Sequence, residues 1–181
     1  SLNEEDLLSK KVLNWECDIN LNRLEFPTHL LPLNQMWTLQ LTIGQLAGGS
    51  SAQPFKTVED YDNWLARVDD YLVWLYTAED RMKEGIEKDV VLPKSLIKKV
   101  VPQLASIALT DVEDHLFFGL RKLPASFSDE DKIRLTAAYQ SMIEDKLKPA
   151  YQQLHDFMNG EYMEAGRLSS GFDAYTFGSD Y

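Results

Sequence analysis

Residues 57–88, TVEDYDNWLARVDDYLVWLYTAEDRMKEGIEK, decide the fold. Val58, Tyr61, Leu65, Val68, Leu72, Leu75, Met82 and Ile86 recur at alternating spacings of three and four, which places them on one stripe of a helix of about nine turns. Glu79 is the one polar residue in that series. Trp64, Tyr71, Trp74 and Tyr76 lie off the stripe and widen the apolar surface, so the helix should be central and touch neighbours on two sides. Thr57 is placed to accept a backbone N–H at the third position, while Glu59 and Asp60 suit the positive end of the helix dipole. Lys88 and Pro93 mark the end, and Gly85 weakens the last turn by about 1 kcal/mol relative to alanine, which predicts fraying or a bend there.

Working toward the N-terminus, Leu8, Val12, Trp15, Ile19 and Leu24 predict an amphipathic helix over residues 4–24, opened by Glu4, Glu5 and Asp6. Pro27 and Pro32 bracket an irregular link, after which Asn34 should cap a helix through Met36, Leu39, Leu41, Ile43 and Leu46 that Gly48 and Gly49 stop. The connection GGSSAQPF, residues 48–55, has the length of a link inside a domain.

Working toward the C-terminus, Pro93 fits the first turn of a helix through Leu96, Ile97, Val100, Val101, Leu104 and Ile107, with Pro102 kinking it. Residues 110–124 predict a short helix and an extended turn. Ser128 should cap a second long helix carrying Leu135, Tyr139, Met142, Ile143, Leu147, Tyr151, Leu154, Phe157 and Met158 on one side, bent near Pro149. No strand pattern and no repeat stands out. The expectation is one all-α domain over residues 1–181, an irregular bundle of about five or six helices, two of them long and kinked at prolines.

With 44% hydrophobic and 26% charged residues among 181, the composition is that of an ordinary globular domain. No apolar run approaches the ~18 residues of a membrane span. The net charge of −11 argues against a nucleic-acid partner, since Lys94, Lys98 and Lys99 form too small a basic patch to neutralise a phosphate backbone. Cys17 is the single cysteine, which excludes an internal disulfide and a cysteine zinc site, and a small buried hydrophobe is its expected role.

The three histidines, His29, His115 and His155, lack the i,i+4 pairing with a glutamate that marks a helical zinc site. His115 stands beside Asp111, Glu113 and Asp114, which could gather a cation but read as a solvated acidic face. His155, near Asp156 and Glu161, reads as a hydrogen-bonded boundary residue. No phosphate loop or nucleophile elbow is present. Glu79, with Arg67 partly beside it, could be a buried carboxylate needing a cation, but the cheaper reading puts it at an edge of the core. The sequence therefore assigns no catalytic, cofactor-binding or metal-binding residue. A helical interaction module, with Trp37, Trp64 and Trp74 lining a pocket or groove, is the alternative.

Four segments in order, FPTHLLPLNQ, QPFKTVEDYDNWLARVDDYL, RMKEGIEKDVVLPKSLIKKVVPQL and LKPAYQQLHDFMNGEYMEAGRLSSGFDAYTFGSDY, resemble the N-terminal half of a bacterial family known as domain of unknown function 885. The likeness covers nearly the whole chain and lies in consecutive segments rather than in a catalytic motif. It implies a longer, helical, zinc-peptidase-like parent whose His-Glu and later His residues fall beyond residue 181. No cofactor is then expected in these 181 residues, and zinc would belong to the parent. The resemblance also implies the C-terminal half of the same chain as partner, export to the periplasm or anchoring at the outer membrane, and a lipid anchor upstream of Ser1. It leaves the oligomeric state open.

Overall fold

The computed structural model describes residues 3–49 and 52–178, except for the side chains of Arg121 and Lys122. Ser50 and Ser51 of the predicted connection, and Ser179 to Tyr181 of the C-terminal segment, lie outside the described residues. Among the described residues the helices are α1 (Glu4–Arg23), α2 (Leu39–Ala47), α3 (Val58–Glu87), α4 (Lys94–Leu109), α5 (Asp129–Ser141), α6 (Lys148–Asn159) and α7 (Glu161–Ala165). Short 3-10 turns lie between them, and the described residues contain no strand, only an isolated bridge from Pro93 to Arg167. The protein is all-α.

Helix α3 starts where its sequence says it should. The Thr57 side chain accepts from Asp60 N–H, and the Asp60 carboxylate accepts from Thr57 N–H at 2.8 Å, a complete capping box. Its stripe is the spine of the core: Tyr61, Val68, Leu72, Leu75 and Met82 are buried, as are Trp64 and Tyr71 beside it. Tyr76 instead faces solvent. Helix α3 meets α5, α6 and α7, and α4 packs along α6.

Gly85 does not fray the helix, which runs on to Glu87. A Cβ there would come within 2.6 Å of the Val90 carbonyl oxygen and 3.3 Å of that of Leu30. The glycine permits a close backbone approach, and its propensity cost is offset by the packing it allows. Past the helix, Asp89 takes a positive φ of 57° and Val90 N–H returns to the Gly85 carbonyl at 2.8 Å.

The second long helix is interrupted as expected, but by a change of pitch. Six residues, Met142–Leu147, form a π turn between α5 and α6, and Pro149 stands in the first turn of α6. Proline has no N–H to donate back to the preceding turn, and a local widening of the helix is one way to absorb the missing bond. All nine apolar residues predicted along this helix, from Leu135 to Met158, are buried.

Other expectations are corrected. Asn34 caps a turn rather than a helix: its carboxamide oxygen accepts from Met36 and Trp37 N–H at 2.8 Å each, and α2 begins only at Leu39. Pro93 stands just outside α4 as its N-cap, and Pro102 lies within that helix. Residues 110–124 hold two 3-10 turns, Val112–Asp114 and Gly119–Lys122, in place of the expected short helix. Helix α1 forms, with the Asn3 side chain accepting from Asp6 N–H at 2.8 Å, yet it contains no buried residue. Cys17 on that helix is exposed rather than a core hydrophobe.

Candidate functional site

The most developed buried polar group joins α3 to α6. Glu79 is only 5% exposed, so it does not mark an edge of the core. Its carboxylate accepts from Lys83 Nζ at 2.7 Å, one turn further along α3, and from Gln153 Nε2 at 3.0 Å on α6. The hydrogen bond to Glu79 holds the Lys83 ammonium above its ordinary pKa. The same ammonium sits 5.5 Å from the centre of the Phe157 ring. Arg67 takes no part, since it donates to the side chain of Gln53. Both carboxylate oxygens are engaged, and the arrangement is a satisfied buried ion pair with one cation reaching water.

A second polar contact lies deeper. The Tyr71 and Tyr151 hydroxyls are 2.6 Å apart in the core, and burial pushes both far above the ordinary phenol range. Two neutral hydroxyls that satisfy each other hold α3 against α6, and neither is available as an acid or base near neutral pH.

The structure separates the histidines. His115 is 1% exposed, with Nε2 3.0 Å from the Ile107 carbonyl and Nδ1 accepting from Phe117 N–H at 3.3 Å. Those partners require the neutral ring carrying its proton on Nε2, and burial lowers its pKa in agreement. Asp111, Glu113 and Asp114 stay at the surface while the imidazole turns inward. His155 is a boundary residue, its Nδ1 2.9 Å from the Asp156 carboxylate, and His29 is exposed on a 3-10 turn. Among the described residues no three His, Cys, Asp or Glu side chains come together as a metal could use them.

The tryptophans do not converge on a pocket either. Trp64 is fully buried among Phe55 and Phe117, whereas Trp37 is 84% exposed in the turn before α2. A cleft of about 360 Å³ is lined by Ala47, Gly48, Asp114, Leu116, Phe118 and Gly119. It offers one carboxylate and no nucleophile beside a base.

The segment after α7 is held by an arginine. Arg167 donates to the carbonyls of Val91, Ser169 and Gly171, at 3.2, 2.7 and 2.5 Å, and its guanidinium lies 4.2 Å from the centre of the Tyr175 ring. Tyr175 in turn donates to the Val91 carbonyl at 2.9 Å. This aromatic, glycine-rich stretch is thereby folded back onto the extended link before α4. A family model for a bacterial protein of unknown function, DUF885, matches residues 1–181. The chain belongs to the DUF885 family. No curated protein and no solved structure matches it. Neither the Gln153–Glu79 bond nor the Tyr71–Tyr151 pair of this DUF885 chain was legible as a contact, because the partners stand 74 and 80 residues apart in sequence, whereas Lys83, four residues after Glu79, lay within reach of a helical reading.

Among the described residues, no helix is long and apolar enough to cross a membrane.

Proposed function

We propose that these residues are the helical scaffold region of a longer, exported, metallopeptidase-like protein and supply packing surface rather than catalytic groups. The observation that carries the reading is how much large apolar surface a well-packed chain leaves open. Trp37, Leu24, Leu109 and Leu168 are each more than 70% exposed, although α3, α4 and α6 bury their apolar faces thoroughly. A partner seated on these side chains would remove their apolar surface from water. The DUF885 membership supplies the partner for this reading: the remainder of the same polypeptide, carrying the His-Glu and later His residues of a hydrolytic half. Export, and a lipid anchor upstream, belong to the same proposal.

A second reading, a helical interaction module without a catalytic half, is favoured by Trp37, which a foreign partner could cover equally well. The gene separates the two. Reading it beyond Tyr181 should reveal a His-Glu pair and a later His at metal-ligand spacing on a helical pattern. A stop codon soon after Tyr181 would sink the scaffold reading. In parallel, the 181-residue chain should retain no zinc after dialysis. Stoichiometric zinc that is lost on substituting His115 or His155 would place a metal site here after all.

A further inference from the structure

Helix α1 carries apolar residues on two opposed faces. Leu8, Val12, Trp15 and Ile19 recur at spacings of four, three and four along one of them, and Leu13, Leu21 and Leu24 lie roughly opposite. Leu8, Val12 and Trp15 are exposed and Ile19 is half-buried. The first face is symmetric about a point midway between Leu13 and Asn14. Leu8 is as far from that point as Ile19, and Val12 as far as Trp15. A second copy of α1, turned by 180° about an axis through that point, would set each of these side chains against an apolar side chain.

The charges bordering this face obey the same symmetry. One border carries Glu5, Ser9, Glu16 and Arg23, the other Glu4, Lys11, Asp18 and Asn22. At a rise of 1.5 Å per residue, Glu5 comes within about 1.5 Å of the height of Arg23 of the partner subunit. On the other border Lys11 comes within about 3 Å of the height of Asp18 of the partner subunit. The remaining neighbours, Glu4 with Asn22 and Ser9 with Glu16, bring no like charges together. Each favourable pair occurs twice by symmetry.

We infer that a second copy of this chain covers this face of α1, the two helices running antiparallel. A parallel pair would also match Lys11 with Glu16 and Asp18 with Arg23. It would, however, stack Glu4, Glu5 and Asp6 of both copies at one end and bring Glu5 beside Glu4 of the partner subunit, like charge against like. The antiparallel pair instead puts those acids beside Arg23 and opposes the two helix dipoles. The interface uses α1 alone and does not depend on any chain beyond Tyr181.

Sedimentation equilibrium of the 181-residue chain at tens of micromolar should give twice the 20.8 kDa chain mass. Val12→Glu should abolish the dimer and leave the fold intact by circular dichroism, since α1 contributes no buried residue. Lys11→Glu should weaken it by roughly tenfold or more, because two pairs are reversed at once. Adding Asp18→Lys to Lys11→Glu should restore it. A monomeric wild type, a dimer indifferent to Val12→Glu, or rescue by Glu16→Lys in place of Asp18→Lys would each overturn the antiparallel pairing. So would protection of Leu8 to Ile19 from hydrogen exchange only when the chain beyond Tyr181 is present, which would make this face an intramolecular contact.

Discussion

Trp64 and Trp15 stand on helices of similar promise, α3 and α1, and meet opposite fates: one is fully buried, the other 63% exposed. Both helices are capped at the N-terminus by a side chain, both open with acidic residues, and both carry apolar residues at helical spacing. The difference lies in breadth and company. On α3 the stripe is broadened by Trp64, which Phe55 and Phe117 cover, and by Tyr71, which meets Tyr151 on α6 from the far end of the chain. On α1 the apolar residues divide between two faces, and none of them is buried among the described residues. Local pattern makes a helix; a partner delivered by topology makes it part of the core.

The comparison breaks most visibly by truncation. Trp64→Ala should cost about 3–5 kcal/mol, by the lost burial and the cavity left behind. Trp15→Ala should stay within about 0.5 kcal/mol under conditions where the chain is monomeric. Urea unfolding of both variants measures the contrast, and similar losses would mean that α1 is packed after all.

Gly85→Ala sharpens the point through its sign. Helix propensity alone predicts a gain of about 1 kcal/mol. The close approach of the Val90 and Leu30 carbonyls predicts instead a loss of about 1–3 kcal/mol, because backbone on both sides must move to admit a methyl group. The unfolding midpoint decides between them.

The tyrosine pair tests how α3 is joined to α6. Tyr71→Phe or Tyr151→Phe alone should cost about 1–2 kcal/mol, since each leaves a buried hydroxyl without its partner. The double variant should cost clearly less than the sum of the two. Strict additivity would mean that the hydroxyls do not act as a pair.

Much of this architecture was legible, and the reason is locality. The Thr57 cap, the α3 stripe and the nine apolar residues from Leu135 to Met158 are all set by neighbours within a few positions. What escaped depends on residues brought in from afar. Glu79 looked like an edge because Gln153, which helps to satisfy it, is on another helix. Gly85 looked like a weak point because Val90 and Leu30 must close over it before its lack of a Cβ matters. His115 looked solvated because three acids flank it, but a 3-10 turn has a different side-chain period from an α-helix and turns the ring toward Ile107. The exposure of Cys17 has the same origin, since nothing in the α1 pattern says whether another element will arrive.

His115 also gives the core a pH dependence. Its pKa is lowered on folding, so between the folded value and the ordinary 6.5 the unfolded chain binds a proton that the native chain refuses. The associated stability is complete above pH 6.5 and is lost as pH falls toward the folded value. The slope is at most about 1.4 kcal/mol per pH unit. Unfolding free energies at pH 7.5 and 5.5 should differ in that direction, and His115→Gln should flatten the difference. The carboxylates held low in the native state, Glu84 and Asp156 among them, lose their contribution only in stronger acid.

The smallest effect separates the two helices most cleanly, because it compares like with like at their caps. Thr57→Ala removes half of a capping box on a helix that is part of the cooperative core, so the whole protein should lose about 1 kcal/mol. Asn3→Ala removes the equivalent acceptor from α1. The local cost to the helix is similar, but α1 has no buried side chain through which to pass it on. Global stability of the monomer should therefore be unchanged, and the loss should appear only as faster amide exchange in the first turns of α1. If the antiparallel pairing holds, raising the protein concentration should slow that exchange again, since a second copy would supply the cover that this helix lacks in the single chain.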